Sequence, residues 1–163
     1  MRLTSRGHLG ILALVELARE ETHELSTIEL AKRTGGSARF LETAMRELHI
    51  AGLVRSRKGR HGGYRLAHPP HEITVGRISR VLDGPPSPSP CGELNASAAC
   101  NWCPGSPCLL TDLLQNVTSA VESVLGAQTL AELAGRPDTS AHQLNRHALE
   151  QRSPLAPQIS RAV

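Results

Sequence analysis

All four cysteines of this chain lie within one 18-residue window, separated by eight, two and four residues: Cys91, Cys100, Cys103 and Cys108. So dense a group of thiols is typical of a metal or iron–sulfur site, because thiolates are the ligands that such centres prefer. A disulfide framework is disfavoured, since we expect a cytoplasmic protein in which thiols stay reduced. Its longest apolar run, Leu9 to Val15, is too short to cross a membrane, and no signal peptide is recognisable.

The charge of the chain is distributed unevenly between its two parts. Residues 1–68 contain 12 Lys and Arg against 7 Asp and Glu, whereas residues 69–163 contain 6 against 8. The stretch from Leu48 to His71 has no carboxylate at all. A basic N-terminal part of this kind favours a polyanionic partner, and double-stranded DNA is the one we expect.

Capping signals predict three helices in the basic part. The first begins after Thr4 or Ser5. The second begins with a capping box, Ser26 with Glu29, and ends at Gly35 and Gly36. Ser37 begins the third, whose apolar residues recur at helical spacing: Phe40, Leu41, Ala44, Met45 and Leu48. Two short capped helices around a glycine turn predict a helix-turn-helix.

A hairpin is predicted directly after the third helix. Ala51-Gly52-Leu53-Val54 opens one strand and Tyr64-Arg65-Leu66-Ala67 forms the returning strand. Between them, cations surround three glycines: Arg55, Arg57, Lys58, Arg60 and His61. This pattern is typical of the wing of a winged helix, although a solvated cationic loop would have the same composition.

The rest of the chain predicts a sensor segment and a long helix. A short helix over 72–83 is followed by Gly84 and a proline-rich linker. From Leu109 to Leu125 a helix carries an apolar stripe, which would be buried against a symmetric copy or in the chain's own core. A short final helix over 129–133 precedes a polar tail, predicted to be disordered. The predicted fold is mainly α with a small β-wing: a winged helix-turn-helix (1–83), a cysteine loop (84–108), a dimerisation helix with a short terminal helix (109–135) and the tail (136–163).

Several motifs occur in an order that resembles one known family. Residues 1–7, Ser37-x-x-Phe40-Leu41-Glu42, residues 51–54 and Gly59-x-x-Gly62-Gly63-Tyr64 are similar to the Rrf-two family of bacterial winged helix-turn-helix transcriptional regulators. The resemblance covers about residues 1–133. It implies a homodimer that binds palindromic operators, in our interpretation as a repressor. It also implies an iron–sulfur cluster on the loop before a long dimerisation helix.

The resemblance also implies a set of cluster ligands. The family uses three loop cysteines, which Cys91, Cys103 and Cys108 match, and a non-cysteine ligand that some members supply at the eighth residue of the partner subunit. Here that residue is His8, and imidazole binds iron in Rieske centres; a surface histidine is the alternative. Cys100 is then surplus, either another ligand or a resolving thiol. Four cysteines could equally hold the cluster, of the 2Fe–2S or 4Fe–4S type, or a zinc ion, without His8.

The family match places the DNA-binding residues as well. It implies that Ser37, Arg39 and Glu42 lie at the start of the recognition helix, where Arg39 could pair with guanine and Glu42 could accept from a cytosine amino group. The minor groove would receive the wing tip, Lys58, Arg60 and His61. Phosphates would be held by Arg2, Arg55 and Arg57.

The sequence therefore predicts a DNA-binding transcriptional regulator whose cluster senses redox state, nitric oxide or iron supply. A regulator switched by zinc or by a thiol–disulfide pair, Cys100 with Cys103, is the alternative. An enzyme is not expected, because the strand–helix alternation that thiol oxidoreductases need around such a pair is absent from the sequence.

Overall fold

The computed structural model describes residues 3–20, 22–59, 62–86 and 110–136, where six helices and one small sheet enclose an apolar core. The elements run in the order α1 (Ser5–Arg19), α2 (Thr27–Thr34), α3 (Ala38–Ile50), β1 (Val54–Arg57), β2 (Gly63–Leu66), α4 (Val75–Asp83), α5 (Thr111–Ala127) and α6 (Leu130–Ala134). The two strands pair in antiparallel orientation. The predicted fold class is confirmed. Within the described ranges, no helix is long and apolar enough to cross a membrane.

The helix-turn-helix is set by local capping. The Ser26 hydroxyl accepts from the Glu29 amide, and the Glu29 carboxylate accepts from the Ser26 amide at 2.8 Å, so the predicted capping box is present. Hydrogen bonding from the Ser26 side chain is the main reason why the pKa of Glu29 lies below its usual value. α2 ends at Gly35, whose φ of 73° is left-handed and therefore suits glycine. Ser37 precedes α3, but its side chain makes no capping hydrogen bond.

The core is aliphatic, since the chain contains only three aromatic residues of the types Phe, Tyr and Trp: Phe40, Tyr64 and Trp102. In α3 the buried side chains are Leu41, Ala44, Met45 and Leu48, which are four of the five apolar residues at helical spacing. The fifth, Phe40, is 38% exposed. At 100° per residue it lies about 90° from the centre of the buried face, which places it at the margin of that face.

The fourth helix begins later than predicted. Pro70–Glu72 forms a single 3-10 turn, and α4 begins at Val75 because the Thr74 side chain accepts a hydrogen bond from the Arg77 amide. It ends before Gly84, whose φ is 82°. The helix stop predicted at this glycine is therefore present.

The terminal helix α6 is part of the same core as α1 to α4. Leu130 is fully buried there, and its amide donates to the Ile73 carbonyl at 2.9 Å. The Val75 amide donates to the Gln128 carbonyl, also at 2.9 Å. At the other end of α6, the Arg19 guanidinium donates to the Ala134 carbonyl at 3.1 Å. These bonds join the C-terminal end of α5, and α6, to the end of α1 and the start of α4.

The long helix α5 runs antiparallel to α4. Gly76 lies against Gly126, and Arg80 forms an ion pair with Glu122, so the order of the residues is opposite in the two helices. Continued at this register, residues 111–118 of α5 extend about 12 Å beyond the end of α4. α5 contains no buried residue in the described part of the chain, although the sequence predicts its apolar stripe.

Candidate nucleic-acid interface and sensor segment

The outward face of α3 carries four polar side chains. Arg39, Glu42, Thr43 and Arg46 are all exposed, and their spacing places them on one side of the helix, opposite the buried residues. Among the residues that the structure describes, none of the three charged side chains forms an ion pair or a hydrogen bond. Their donors and acceptors are therefore available to an external partner.

Sequence reasoning missed Arg46 on this face. It lies seven residues after Arg39, so it occupies the same side of the helix two turns later. The signal was present in the i, i+3, i+7 spacing of Arg39, Glu42 and Arg46. It was overlooked because the family match concerns only the first turn of the recognition helix.

The start of α3 also forms one wall of an open crevice of about 440 Å³. Ser37, Arg39, Phe40 and Thr43 line it together with residues of α1, including Leu9. The half-exposed ring of Phe40 thus lies beside the polar face of α3. An apolar surface at this place suits the methyl group of a thymine in the major groove.

The wing presents a cationic face and an apolar face. Because side chains alternate along a strand, Val54 and Leu66 of one cross-strand pair face the core together with Tyr64. Arg55 and Arg57 are on the other face and exposed, as is Lys58 directly after β1. The Leu53–Leu66 part of the hairpin is connected to α3 through Gly52, whose φ is 73°, and by His49, whose Nδ1 lies 3.0 Å from the Val54 carbonyl oxygen.

A short acidic segment, which we define as Glu20 together with residues 22–25, lies at the edge of the wing. Leu25 and Tyr64 exchange two backbone hydrogen bonds, of 3.0 and 2.9 Å, which add this segment to β2 as a third row. A Cβ at Gly63 would lie 2.6 Å from the Leu25 carbonyl, so only glycine permits this approach. The neighbouring Glu24 carboxylate lies 3.7 Å from the Arg57 guanidinium.

Glu20 belongs to the same acidic segment and is strongly held in its charged form. Its carboxylate accepts a hydrogen bond from the Thr22 hydroxyl at 2.6 Å and another from Arg33 at 3.1 Å. The Thr22 hydrogen bond is the largest cause that lowers the pKa of Glu20 to about 2. Glu20 therefore remains ionised well below neutral pH.

His8 is exposed on α1. The preceding Gly7 packs against the carboxylate of Asp83, which accepts hydrogen bonds from the Thr4 amide and hydroxyl. In the part of the chain that the structure describes, the His8 ring has no hydrogen-bond partner. No group of three or more His, Cys, Asp or Glu side chains suited to a metal occurs among the described residues.

Other predicted site residues lie outside the described ranges. These are the four cysteines Cys91, Cys100, Cys103 and Cys108, the wing-tip residues Arg60 and His61, and Arg2. The predicted tail from residue 137 onward lies outside them as well. Ser37, Arg39 and Glu42 occur together at the start of α3, and Arg55, Arg57 and Lys58 occur together on the wing.

A helix-turn-helix followed by a hairpin with a cationic outer face defines the chain as a winged helix-turn-helix protein. The model of the Rrf2 family, described as an iron-dependent transcriptional regulator, matches residues 3–136. The chain belongs to this family, as the motif order predicts, and is a transcriptional regulator rather than an enzyme.

Individual relatives agree with this assignment. The chain is 32% identical to the HTH-type transcriptional regulator CymR of Bacillus subtilis over 139 residues, covering 85% of this chain and 93% of CymR. It is 31% identical to IscR of Aliivibrio salmonicida over 134 residues, covering 82% of this chain and 77% of that protein. Among solved structures, that of CymR, the global cysteine regulator of B. subtilis, superposes with a TM-score of 0.68 at 31% identity, covering 85% of this chain and 99% of the other. The structure of T. potens IscR superposes with a TM-score of 0.64 at 27% identity, covering 96% and 94% of the two chains.

Proposed function

We propose that the chain is a homodimeric transcriptional repressor that binds palindromic operators in double-stranded DNA under the control of an iron–sulfur cluster. The observation that carries the DNA-binding part is the outward face of α3. Its charged side chains Arg39, Glu42 and Arg46 have no partner in the described part of the chain, although each is able to form strong hydrogen bonds.

On this proposal, α3 lies in the major groove. Arg39 donates to guanine and Glu42 accepts from the amino group of cytosine, with Ser37 at the start of the same helix. The wing residues Arg55 and Arg57 hold backbone phosphates, which position the protein without reading sequence. Lys58, Arg60 and His61 enter the minor groove.

The homodimer is supported by the unburied face of α5. Leu113 is 58% exposed and Val117 is 40% exposed, and both belong to the part of α5 that extends beyond α4. Exposed aliphatic residues in a row on one helix are typical of a face that a second copy covers. A two-fold dimer would also place two α3 helices on the two halves of a palindrome.

The cluster proposal depends on the donor set of the chain. Four thiols within 18 residues fit a cluster. The ring of His8, which is exposed and has no hydrogen-bond partner among the described residues, fits the role of a further ligand. The described part of the chain offers no rival group of ligands. Such a cluster would supply a redox-active or labile centre, which is what sensing redox state, nitric oxide or iron supply requires. We place the protein in the cytoplasm, where its thiols would stay reduced.

The helix α5 offers a route from the cysteine loop (84–108) to the DNA-binding face. At its C-terminal end α5 is joined to the core through Leu130 and the bonds around Ile73 and Val75. At its N-terminal end it continues directly from the cysteine segment. A change in the cysteine loop would therefore shift the angle between the α5 helices of the two protomers in the proposed dimer. The spacing of the two α3 helices would change with it.

A second candidate is a regulator switched by a thiol–disulfide pair, or stabilised by zinc, without a cluster. A structure of Staphylococcus aureus CymR in an oxidised form, with a TM-score of 0.66 at 30% identity, favours it. In this chain Cys100 and Cys103 would form the pair. Metal and sulfide analysis separates the two candidates, because only the cluster contains inorganic sulfide.

Binding to DNA is tested first with selected duplexes. In vitro selection from a random pool gives the operator, and dissociation constants are then measured for the operator and for a scrambled duplex. Glu42→Ala should reduce the preference for the operator, by about 1–3 kcal/mol if one base contact is lost. Arg57→Ala should weaken binding to both duplexes alike. The control is Glu72→Ala, which removes an exposed carboxylate from the turn Pro70–Glu72.

Two results would contradict this reading. Equal losses on the operator and the scrambled duplex from Glu42→Ala would show that this residue does not read a base. Failure of the unaltered protein to bind any duplex would refute the proposed function itself.

A further inference from the structure

Two arginines lie directly opposite each other on the wing. Arg55 of β1 pairs with Arg65 of β2, and residues opposite each other in an antiparallel pair project from the same face with their Cβ atoms about 5 Å apart. Both side chains are exposed. Neither forms an ion pair or a hydrogen bond with any residue that the structure describes. Like charges in this position destabilise a sheet.

The nearest carboxylate does not neutralise this face. Because Leu25 pairs with Tyr64, Glu24 comes beside Arg65 in the row formed by the acidic segment, and both residues line one crevice of about 290 Å³. The Glu24 carboxylate is instead within 3.7 Å of Arg57, which reaches it across Gly63. Glu20 also lines this crevice, but its carboxylate pairs with Arg33 at 3.1 Å. Among the described residues, Arg55 and Arg65 therefore have no carboxylate at ion-pair distance.

Several arginines elsewhere in the described chain are neutralised by carboxylates, unlike Arg55 and Arg65. Arg6 pairs with Glu47 at 3.1 Å, Arg33 pairs with Glu20 at 3.1 Å, and Arg80 pairs with Glu122. Arg55 and Arg65, by contrast, lie opposite each other with no carboxylate at ion-pair distance in the described part of the chain. Two unneutralised guanidinium groups this close together suit an anion that another molecule supplies.

We propose that Arg55 and Arg65 together clamp one phosphate of the DNA backbone. This inference rests on the proposed DNA-binding function and adds Arg65 to it, a residue that neither the sequence motifs nor the family match assigns. A guanidinium group can donate two parallel hydrogen bonds to phosphate oxygens. Two such groups from adjacent strands enclose the phosphate from both sides. The contact fixes the position of the wing on the duplex and carries no sequence preference.

The test compares Arg65→Gln, Arg65→Lys and the control Arg77→Gln in the full chain. Arg77 is an exposed arginine of α4 that lines the groove beside Gly126 of α5. Dissociation constants are measured for the selected operator and for a scrambled duplex over a series of potassium chloride concentrations. Thermal melting of each variant without DNA shows whether it is folded.

Losing one phosphate contact should make the negative slope of log association constant against log salt concentration shallower by about 1. At 0.1 M salt this corresponds to a loss of about 8-fold in affinity. We expect this for Arg65→Gln on both duplexes, without a fall in melting temperature, because the variant relieves the repulsion with Arg55. Arg65→Lys should keep the slope, since it keeps the charge. Arg77→Gln should match the unaltered protein.

Three outcomes would overturn the inference while leaving the proposed function intact, provided that the unaltered protein binds DNA. They are an unchanged slope in Arg65→Gln, a loss confined to the operator, and an equal loss in Arg77→Gln. If the unaltered protein binds neither duplex, the proposed function fails and the phosphate clamp fails with it.

Discussion

The attachment of α6 to the core gives the sharpest quantitative prediction. Leu130 is fully buried in the apolar core, where α6 packs against α1 and the turn Pro70–Glu72. Leu130→Ala removes three carbon atoms, which at about 0.8 kcal/mol per buried CH₂ gives about 2.4 kcal/mol. The cavity left behind adds to this, so we expect a loss of about 3 kcal/mol, within the 2–5 kcal/mol typical of such changes.

The assay is urea unfolding followed by circular dichroism, at one fixed protein concentration because the proposed dimerisation would contribute to stability by mass action. Ile28→Ala is the matched control. Ile28 is 60% exposed on α2, so its truncation should change the free energy of unfolding by less than about 0.5 kcal/mol.

The same variant tests the link between sensor and DNA-binding face. With α6 loosened, the C-terminal end of α5 loses its attachment near Ile73, and the two forms of the sensor should then bind DNA with more similar affinities. A loss of stability below about 1 kcal/mol, or equal losses in Leu130→Ala and Ile28→Ala, would refute the reasoning that α6 belongs to the core.

Three further predictions concern the acidic segment and the long helix. Glu24→Gln should tighten DNA binding about 2- to 5-fold in a fluorescence titration, because Arg57 is released from a partly exposed ion pair worth at most about 1 kcal/mol. Weaker binding would contradict competition for Arg57. The pKa of Glu20 is lowered to about 2, chiefly by Thr22, so its contribution to stability is present above about pH 4.5 and is lost as the pH falls towards 2. Unfolding curves of the protein and of Glu20→Gln should therefore converge in acid, and a constant difference would contradict this. Leu113→Glu should convert a dimer into a monomer in analytical ultracentrifugation without lowering the helix content, and an unchanged dimer would exclude this face of α5.

Local signals explain why much of the fold could be predicted. Ser26 with Glu29, and the left-handed Gly35, act within a few residues of the chain, so the sequence is sufficient to place α2 and its turn. The spacing of Leu41 and Leu48 likewise identifies the buried face of α3. The start of α4 was misplaced by three residues because the Thr74 cap competes with the helical pattern that begins at residue 72.

The features that were missed depend on tertiary register. That Arg65 lies opposite Arg55, and that Glu24 comes beside it, follows from the pairing of β1, β2 and the segment at Leu25, which composition does not reveal. The burial of Leu130 is a long-range contact of the same kind. Phe40 differs from Leu130 in the opposite direction. Its spacing in α3 groups it with the buried residues, but its side chain is 38% exposed.

The central claim is that the cysteine segment controls the binding of DNA. The measurement that tests it most directly is the operator affinity of anaerobically purified protein before and after removal of its iron and sulfide, both quantified on the same sample. We expect iron and sulfide in near-equal amounts and a clear difference in affinity between the two forms. Replacement of Cys91, Cys103 and Cys108 by alanine should abolish this difference. Equal affinities of the two forms, or a protein that contains zinc or no metal, would contradict control by a cluster.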